Sequence, residues 1–410
     1  MKSAQSTKPR GVNPSDLRRI NEGVVLAAMG PSHQYRVNEL MSITNLTRVT
    51  VTDVLRQLQD KGWVAPHSLS RGRGRPAQIY RRVVPGGTVA GLEIGAYEVA
   101  ATIADMHGEL LARDRRSVSP ALPRNQRLDR AIELLHSTLE KAGSSRVQLW
   151  TVMTATTGTV SPDGTVAQAV AIEDWAGVNL STEIGQRMGV PVEVRNDIQL
   201  FGRGEHRWGA ASGFQHALLV WLGRRPTVSL IVRGEPYVGA HGTAGDLSRV
   251  GRTPGEGSGQ RVQLPTRALP AGSEASGESP ARSHGTEAVD PLRTLLDEAR
   301  GGSNKAGSRI EHWFRDLAPI ISLSTAVVDP EVIVLGGPLV PLADDLVPIL
   351  ERDLSVHLQH RPLVAISAGG QDAIVDAAAR YAVERVYTRL QDNGGHGVAP
   401  LSRDALRALP

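Results

Sequence analysis

Apolar residues recur at helical spacing through the first sixty positions and then give way to alternation and short runs. Leu17, Ile20, Val24, Val25 and Met29 predict a helix that Ser15 caps and Gly30-Pro31-Ser32 stops. Val37, Leu40 and Met41 predict a short second helix over 36–42. After the turn Ile43-Thr44-Asn45-Leu46, Thr47 caps a third helix running to about Lys61, with Val51, Val54, Leu55 and Leu58 on its buried face. Gly62-Trp63-Val64 opens a strand, Gln78-Ile79-Tyr80 returns as another, and Ser70–Pro76 between them alternates arginine with glycine.

Three helices followed by a basic hairpin are the parts of a winged helix-turn-helix. In that fold Thr47, Arg48, Thr50 and Thr52 lie at the start of the recognition helix, where side chains meet base edges. Arg71, Arg73 and Arg75 sit between small residues, so their guanidinium groups reach a phosphate backbone or a minor groove unobstructed. Taken without the helices, the same stretch reads as a solvated linker. Asp53 cuts against tight binding, because a carboxylate beside Thr52 repels phosphate unless it caps locally or accepts from a cytosine amino group.

From Thr88 the pattern changes. Residues 89–94, 98–104 and 109–115 predict three strands joined by tight turns, and Leu128, Ile132, Leu135 and Leu139 mark a helix after them. Strands at 149–154 and 192–194 follow. A second round begins at His216, with strands at 217–221 and 228–232, helices at 291–299 and 309–328, and a strand at 332–335. Two such rounds predict two α/β lobes with a cleft between them. A last helix spans 371–390, with Ile374, Ala377, Ala378, Tyr381, Ala382 and Val386 inward.

Charge sharpens this division. Residues 1–85 hold 14 Lys and Arg against 5 Asp and Glu, a net of +9, and 11 of the 14 are arginine. The remainder holds 32 against 37, a net of −5. Positive charge is concentrated on the segment expected to meet phosphate. There is no cysteine, which removes disulfides and thiolate metal sites. With no apolar run near the length of a membrane span and a polar N-terminus, the expected location is cytoplasmic.

The body resembles the ROK family (repressor, open reading frame, kinase), and with the N-terminal helices the sugar-responsive repressors of that family, from about Leu17 to Val386. The matching stretches are Leu92-Glu93-Ile94-Gly95, Thr157-Gly158 before Ser161-Pro162-Asp163-Gly164, and Val194-Arg195-Asn196-Asp197. Further on are Gly239-Ala240-His241-Gly242-Thr243-Ala244-Gly245-Asp246 and Val332-Ile333-Val334-Leu335-Gly336-Gly337. The resemblance implies an α/β chain: a winged helix-turn-helix over 1–85 and a two-lobed actin-like ATPase body over 86–390. The Gly-rich run 391–400 predicts a flexible tail over 391–410, within which 401–409 reads as one short helix. The resemblance also implies homodimers binding a double-stranded operator, which suits two half-sites.

Departures from the family pattern matter as much. Where the first phosphate loop resembles Asp-x-Gly-Gly-Thr, this chain has Glu93-Ile94-Gly95-Ala96-Tyr97, and Tyr97 fills space expected for a γ-phosphate. Where the second resembles Gly-Thr-Gly-x-Gly, Arg225, Thr227 and Ser229 replace glycines and Pro226 removes an amide donor. Asp197 matches the family's catalytic base, so a base survives beside an altered nucleotide site. Because phosphoryl transfer depends on positioning and charge stabilisation, the body is expected to be non-catalytic. The arginines in the altered loop leave anion binding open beside simple drift.

On the sugar side the resemblance points to Gly158, Asn196, Asp197, Gly242, Asp246 and Arg249. An amide–carboxylate pair suits vicinal hydroxyls, although Asn196 and Asp197 also read as turn residues after a strand. Asp246 is one methylene shorter than the family's glutamate, and Arg249 replaces its histidine. With that histidine and three cysteines missing, no zinc is expected, and no cofactor. Residues 251–290 have the Gly, Ser, Pro and Ala content of a disordered insertion. The expected function is a DNA-binding regulator, most simply a repressor, whose body senses a sugar or related metabolite. The alternatives are a ligand-independent regulator that only dimerises, and an active sugar kinase.

Overall fold

A computed structural model describes residues 14–30, 33–68, 78–169, 171–224, 227–246, 291–392 and 397–409. The chain divides into a terminal unit, Met1–Gly87 with Val383–Pro410, and a body, Thr88–Ala382.

The terminal unit begins with α1 (Pro14–Ala28), β1 (Gln34–Arg36), α2 (Val37–Thr44) and α3 (Arg48–Asp60), followed by β2 (Val64–Ser68) and β3 (Gln78–Arg82). Strand β3 lies between β1 and β2 in an antiparallel sheet. The short strand β1 escaped sequence reading, because three residues are too few for alternation to register. The buried face of α3 is the expected one: Val51, Val54, Leu55 and Leu58 are all buried.

The face of α1 is not. Leu17 and Ile20 are about half exposed and Val24 is 39% exposed, while Val25, Leu26 and Met29 are buried together with Glu22. Glu22 goes inside because distant groups satisfy it. Lys61 Nζ donates to both its carboxylate oxygens, at 2.7 and 2.8 Å, and the Val398 amide donates to Oε2 at 3.3 Å.

The body opens with β4 (Thr88–Ile94), β5 (Glu98–Asp105), β6 (Leu110–Ser117), α4 (Arg124–Lys141) and β7 (Leu149–Thr156). The small hairpin β8 (Thr159–Val160) and β9 (Val166–Gln168), α5 (Leu180–Met188) and β10 (Val192–Asn196) complete the first lobe, and α6 (Asp197–Trp208) leads from β10 to pack on the second lobe's sheet. Its sheet runs β10-β7-β4-β5-β6, with β10 and β4 parallel to β7 and the rest antiparallel.

In the second lobe come β11 (Ala217–Trp221), β12 (Thr227–Val232), β13 (Glu235–Tyr237), α7 (Pro291–Arg300), α8 (Asn304–Val328), β14 (Val332–Gly336), α9 (Ala343–His357) and β15 (Leu363–Ile366). Their sheet runs β13-β12-β11-β14-β15. Each lobe has its own hydrophobic core, one around Leu92, Leu135 and Trp175, the other around Leu218, Phe314 and Leu335. The expected insertion over 251–290 lies outside the described residues.

Helix α10 (Ala373–Gln391) begins in the body and ends in the terminal unit. It lies so close to β4 that a Cβ on Gly91 would come within 2.3 Å of the Val375 carbonyl oxygen and 2.6 Å of the Ala379 amide nitrogen. The residues expected to form a flexible tail are instead built into the terminal unit. Val398 and Ala399 are buried, and α11 (Arg403–Ala408) buries Leu406. The Trp63 indole donates to the Ala399 carbonyl at 2.6 Å, the Leu401 amide to the Lys61 carbonyl at 2.9 Å, and the Ala399 amide to the Leu390 carbonyl at 2.7 Å. The Arg82 guanidinium lies 5.8 Å from the Trp63 ring and 4.8 Å from that of Tyr387.

Two outcomes follow from these contacts. Gly91→Ala forces backbone apart and should destabilise the body by about 1–3 kcal/mol or more, read from urea unfolding. Trp63→Phe leaves a buried carbonyl without its donor and should cost the terminal unit about 1–3 kcal/mol in the same measurement.

Candidate ligand cavity and nucleic-acid surface

A cavity of about 110 Å³ opens in the body where the two lobes meet. Strand β7 runs out into Thr157, Gly158 and Thr159, and β10 runs out into Asn196, which caps α6. The other wall comes from the second lobe: Thr227, Val228 and Ser229 on β12, Tyr237, and the loop from Gly242 to Asp246. Gly158 adopts φ +100°, and a Cβ there would fall 2.2 Å from the Gln168 carbonyl oxygen, so the turn requires glycine.

The capping geometry explains why Asn196 and Asp197 stand side by side. Asn196 Oδ1 accepts from the Gln199 amide at 3.0 Å, and its Nδ2 donates to the Gly158 carbonyl at 3.0 Å. The asparagine thus ties β10, the start of α6 and the Gly158 turn together. Gln199 extends the tie, with Nε2 donating to the Gly242 carbonyl at 3.3 Å.

Asp197, the first residue of the helix, faces the cavity, and its Oδ1 accepts from the Ile198 amide at 2.8 Å. Burial pushes its carboxyl up to about 7, against the helix-start amides that favour the anion; the nearby Asp246 pushes the same way as burial. A carboxyl poised there accepts hydroxyl protons as the anion and donates as the acid.

Of the expected ligand residues, Gly158, Asn196, Asp197, Gly242 and Asp246 all line this one cavity. Arg249 lies outside the described residues, as do Arg225 and Pro226. Gln168 and Tyr237 also line it and carry no signal in the sequence, where nothing marks the β8–β9 hairpin or the β13 edge; Thr243, within the Gly239–Asp246 stretch, lines it too. Thr227 and Ser229, read as losses from a phosphate loop, are cavity wall.

A second carboxylate of the body is buried outside the lining. Glu93, on β4, is pushed up to about 8 by burial; Arg115 opposes the shift, while Glu98, Asp197 and Asp372 add to it. Arg115 meets Glu98 at 2.5 Å, Asp372 at 3.0 Å and Glu93 at 3.4 Å, and these carboxylates hold its own guanidinium charged despite burial.

In the terminal unit, α3 presents Thr47 and Arg48 as exposed residues and Thr50 and Thr52 as half-buried ones. Thr47 caps the helix, its Oγ1 accepting from the Thr50 amide at 3.2 Å and sharing a 2.9 Å hydrogen bond with the Thr50 hydroxyl. Arg48 donates to Asn38 Oδ1 at 2.5 Å. Asp53 is occupied locally, accepting from Gln57 Nε2 at 3.1 Å and lying 3.6 Å from Arg56. Arg71, Arg73 and Arg75 lie outside the described residues.

A family model for the ROK family matches residues 89–378, most of the chain. The chain belongs to the ROK family. Similarity extends to named regulators: over 359 residues it is 23% identical to the DNA-binding transcriptional dual regulator NagC of Escherichia coli, spanning 82% of this chain and 84% of that protein. It is 21% identical to a putative xylose repressor of Caldicellulosiruptor sp. over 58% of this chain and 60% of the other. A bifunctional enzyme NanE/NanK of Brucella melitensis is 31% identical over 207 residues, but the match spans only 38% of that enzyme. Among solved structures, a ROK family transcriptional regulator, homolog of the E. coli MLC protein, superposes with a TM-score of 0.66 at 19% identity, covering 90% of this chain and 97% of the other. A ROK family glucokinase from Streptomyces griseus, in complex with glucose and AMPPNP, gives 0.57 at 20% identity over 73% of this chain and all of that one. The ROK sugar-kinase-like fold of the body is thereby shown. The described residues contain no helix long and apolar enough to cross a membrane.

The Asp197 carboxyl of this ROK chain yields a pH test. Its folded value lies above the ordinary 3.8, so the folded chain holds the proton more tightly than the unfolded one. The resulting stability is full below about pH 4 and is lost as pH rises through about 7. Asp197→Asn should flatten that decline, leaving the part due to Glu93, which continues to about pH 8. Urea unfolding at half-unit pH steps measures both.

Proposed function

We propose that this chain is a DNA-binding transcriptional regulator, in the simplest case a repressor, whose ROK body senses a sugar or related metabolite without turning it over. The observation that carries the DNA reading is the terminal unit. Its three helices and three-stranded sheet suit a winged helix-turn-helix, with α3 as the recognition helix and Thr47, Arg48, Thr50 and Thr52 at its leading end. The net charge of +9 on residues 1–85 supports contact with phosphate, and the similarity to NagC over most of the chain agrees with a regulator. A double-stranded operator read by a homodimer fits this arrangement, each copy taking one half-site.

The two carboxylates and the threonine and serine hydroxyls that line the cavity support a polyhydroxylated ligand such as a sugar. The loss of glycines at Thr227 and Ser229 and the aromatic ring at Tyr97 argue against phosphoryl transfer. One observation favours a second reading, a regulator with no ligand: both functional atoms of Asn196 already serve the fold. Thermal shifts across a library of sugars separate the two, since a ligand bound to the folded state raises the melting temperature by mass action.

Fluorescence anisotropy on operator and random duplexes tests the DNA reading. Arg73→Ala and Arg75→Ala should each weaken binding to every sequence and reduce the salt slope by about 1. Thr50→Ala should instead relax specificity, costing about 1–3 kcal/mol on the operator alone. Equal binding to operator and random DNA by the unaltered protein would sink the proposal.

A further inference from the structure

The two turns that resemble the family's phosphate loops belong to different lobes, and each sends one side chain toward the other. Tyr97 sits at the β4–β5 turn and packs on the first lobe's core. Arg224 sits in the β11–β12 connection of the second lobe. The carbon at the centre of its guanidinium lies 3.7 Å from the centroid of the Tyr97 ring. At that distance a cation is held by the ring's quadrupole, and a planar guanidinium also gains stacking contact.

The Tyr97 turn is held unusually firmly from behind. Arg127 is fully buried, and its guanidinium donates to the Gly95 carbonyl at 2.6 Å and the Ala96 carbonyl at 3.0 Å. The same group reaches the Ser119 and Pro120 carbonyls, at 2.8 and 3.3 Å. The Gly95 amide donates to the Glu98 carbonyl at 2.9 Å, and the Val118 amide to the Tyr97 carbonyl at 2.8 Å. A buried arginine spent wholly on loop carbonyls is costly, as its guanidinium being pushed down to about 10 by burial indicates. What the cost secures is the position of Tyr97.

We propose that Tyr97 and Arg224 form a clasp between the lobes, a built-in bridge that closes the space between the two turns and sets the width of the neighbouring cavity. Three residues beyond Arg224, Thr227 begins the strand that forms one cavity wall, and the Val228 amide donates to the Gly245 carbonyl of the loop on the same wall at 3.1 Å. The opposite wall, at Thr157–Thr159 and Asn196, runs out of β7 and β10 in the lobe that carries Tyr97. Other ties join the lobes through helices: α6 follows β10 and packs on β12, with Gln199 Nε2 on the Gly242 carbonyl at 3.3 Å, and Arg113 and Arg115 of β6 pair with Asp372 and Asp376 before and within α10. The clasp instead joins the two turns directly. Its effect on ligand response rests on the sensing role proposed above, whereas the clasp itself does not and is tested without any sugar.

Hydrogen exchange read by mass spectrometry on the full chain tests the clasp. Arg224→Ala should speed exchange about 5- to 30-fold, not only beside residue 224 but across the cleft at Gly95–Val99 and Val118. Tyr97→Ala should do the same at Val228 and Ser229, and the double variant should exceed neither single one. Tyr97→Phe, which keeps the ring, should behave as the unaltered protein. Should Tyr97→Ala fail to fold, Arg224→Ala decides alone through its effect at Gly95–Val99. Loosening confined to the altered residue's own turn overturns the proposal, as does simple additivity in the double variant. Protection of both turns of the unaltered protein by millimolar MgATP overturns it too, since the space would then be open to a nucleotide.

Discussion

The close approach of α10 to its neighbours is the constraint on which most of this structure depends. The helix lies against Gly91 on β4, the central strand of the first lobe's sheet, and Ala377 lies against Gly204 on α6. Glycine and alanine let backbones come near enough for main-chain atoms to touch, which neither a larger side chain nor a slight shift would permit. The last turns of the same helix supply Tyr387, Leu390 and the approach to Val398 and Ala399, so they also complete the terminal unit. The small residues of the helix serve the body, and its last turns belong to the terminal unit.

Around that helix the body buries several charges, and it treats them in different ways. Arg115 gathers Glu93, Glu98 and Asp372, so that removing the arginine would leave mutually repelling carboxyl groups with the buried Glu93 unpaired. Arg127 is spent on carbonyls and stiffens a turn. Asp197 has only helix-start amides to favour its anion and lies near Asp246, so its carboxyl titrates close to neutrality. These three solutions sit within one fold because each buried charge takes the partners its element makes available.

The cavity is framed by turns that hold one another in place. The Gly158 turn, the Asn196 cap and the loop at Gly242 are held to one another by side-chain hydrogen bonds that would persist with or without a ligand. The second lobe's wall adds the Thr227 and Ser229 hydroxyls and the Asp246 carboxylate to that scaffold.

Local pattern alone determined much of this protein. The three N-terminal helices, the strands of both lobes and the concentration of positive charge before residue 86 were all legible, because periodicity, capping residues and charge act over a few neighbouring positions. The motif order predicts one site for Gly158, Asn196, Asp197, Gly242 and Asp246, and all five line one cavity, whereas the double duty of Asn196 was not legible. Only the tertiary structure decided the rest. Glu22 is inside and Leu17 outside because Lys61 and Val398 arrive from elsewhere; the C-terminal residues are core because Trp63 needs an acceptor; Tyr97 finds Arg224 across the cleft. In each case the deciding partner is far away in sequence. The free energy of burying a polar or charged group depends on that partner, so no local pattern can contain it.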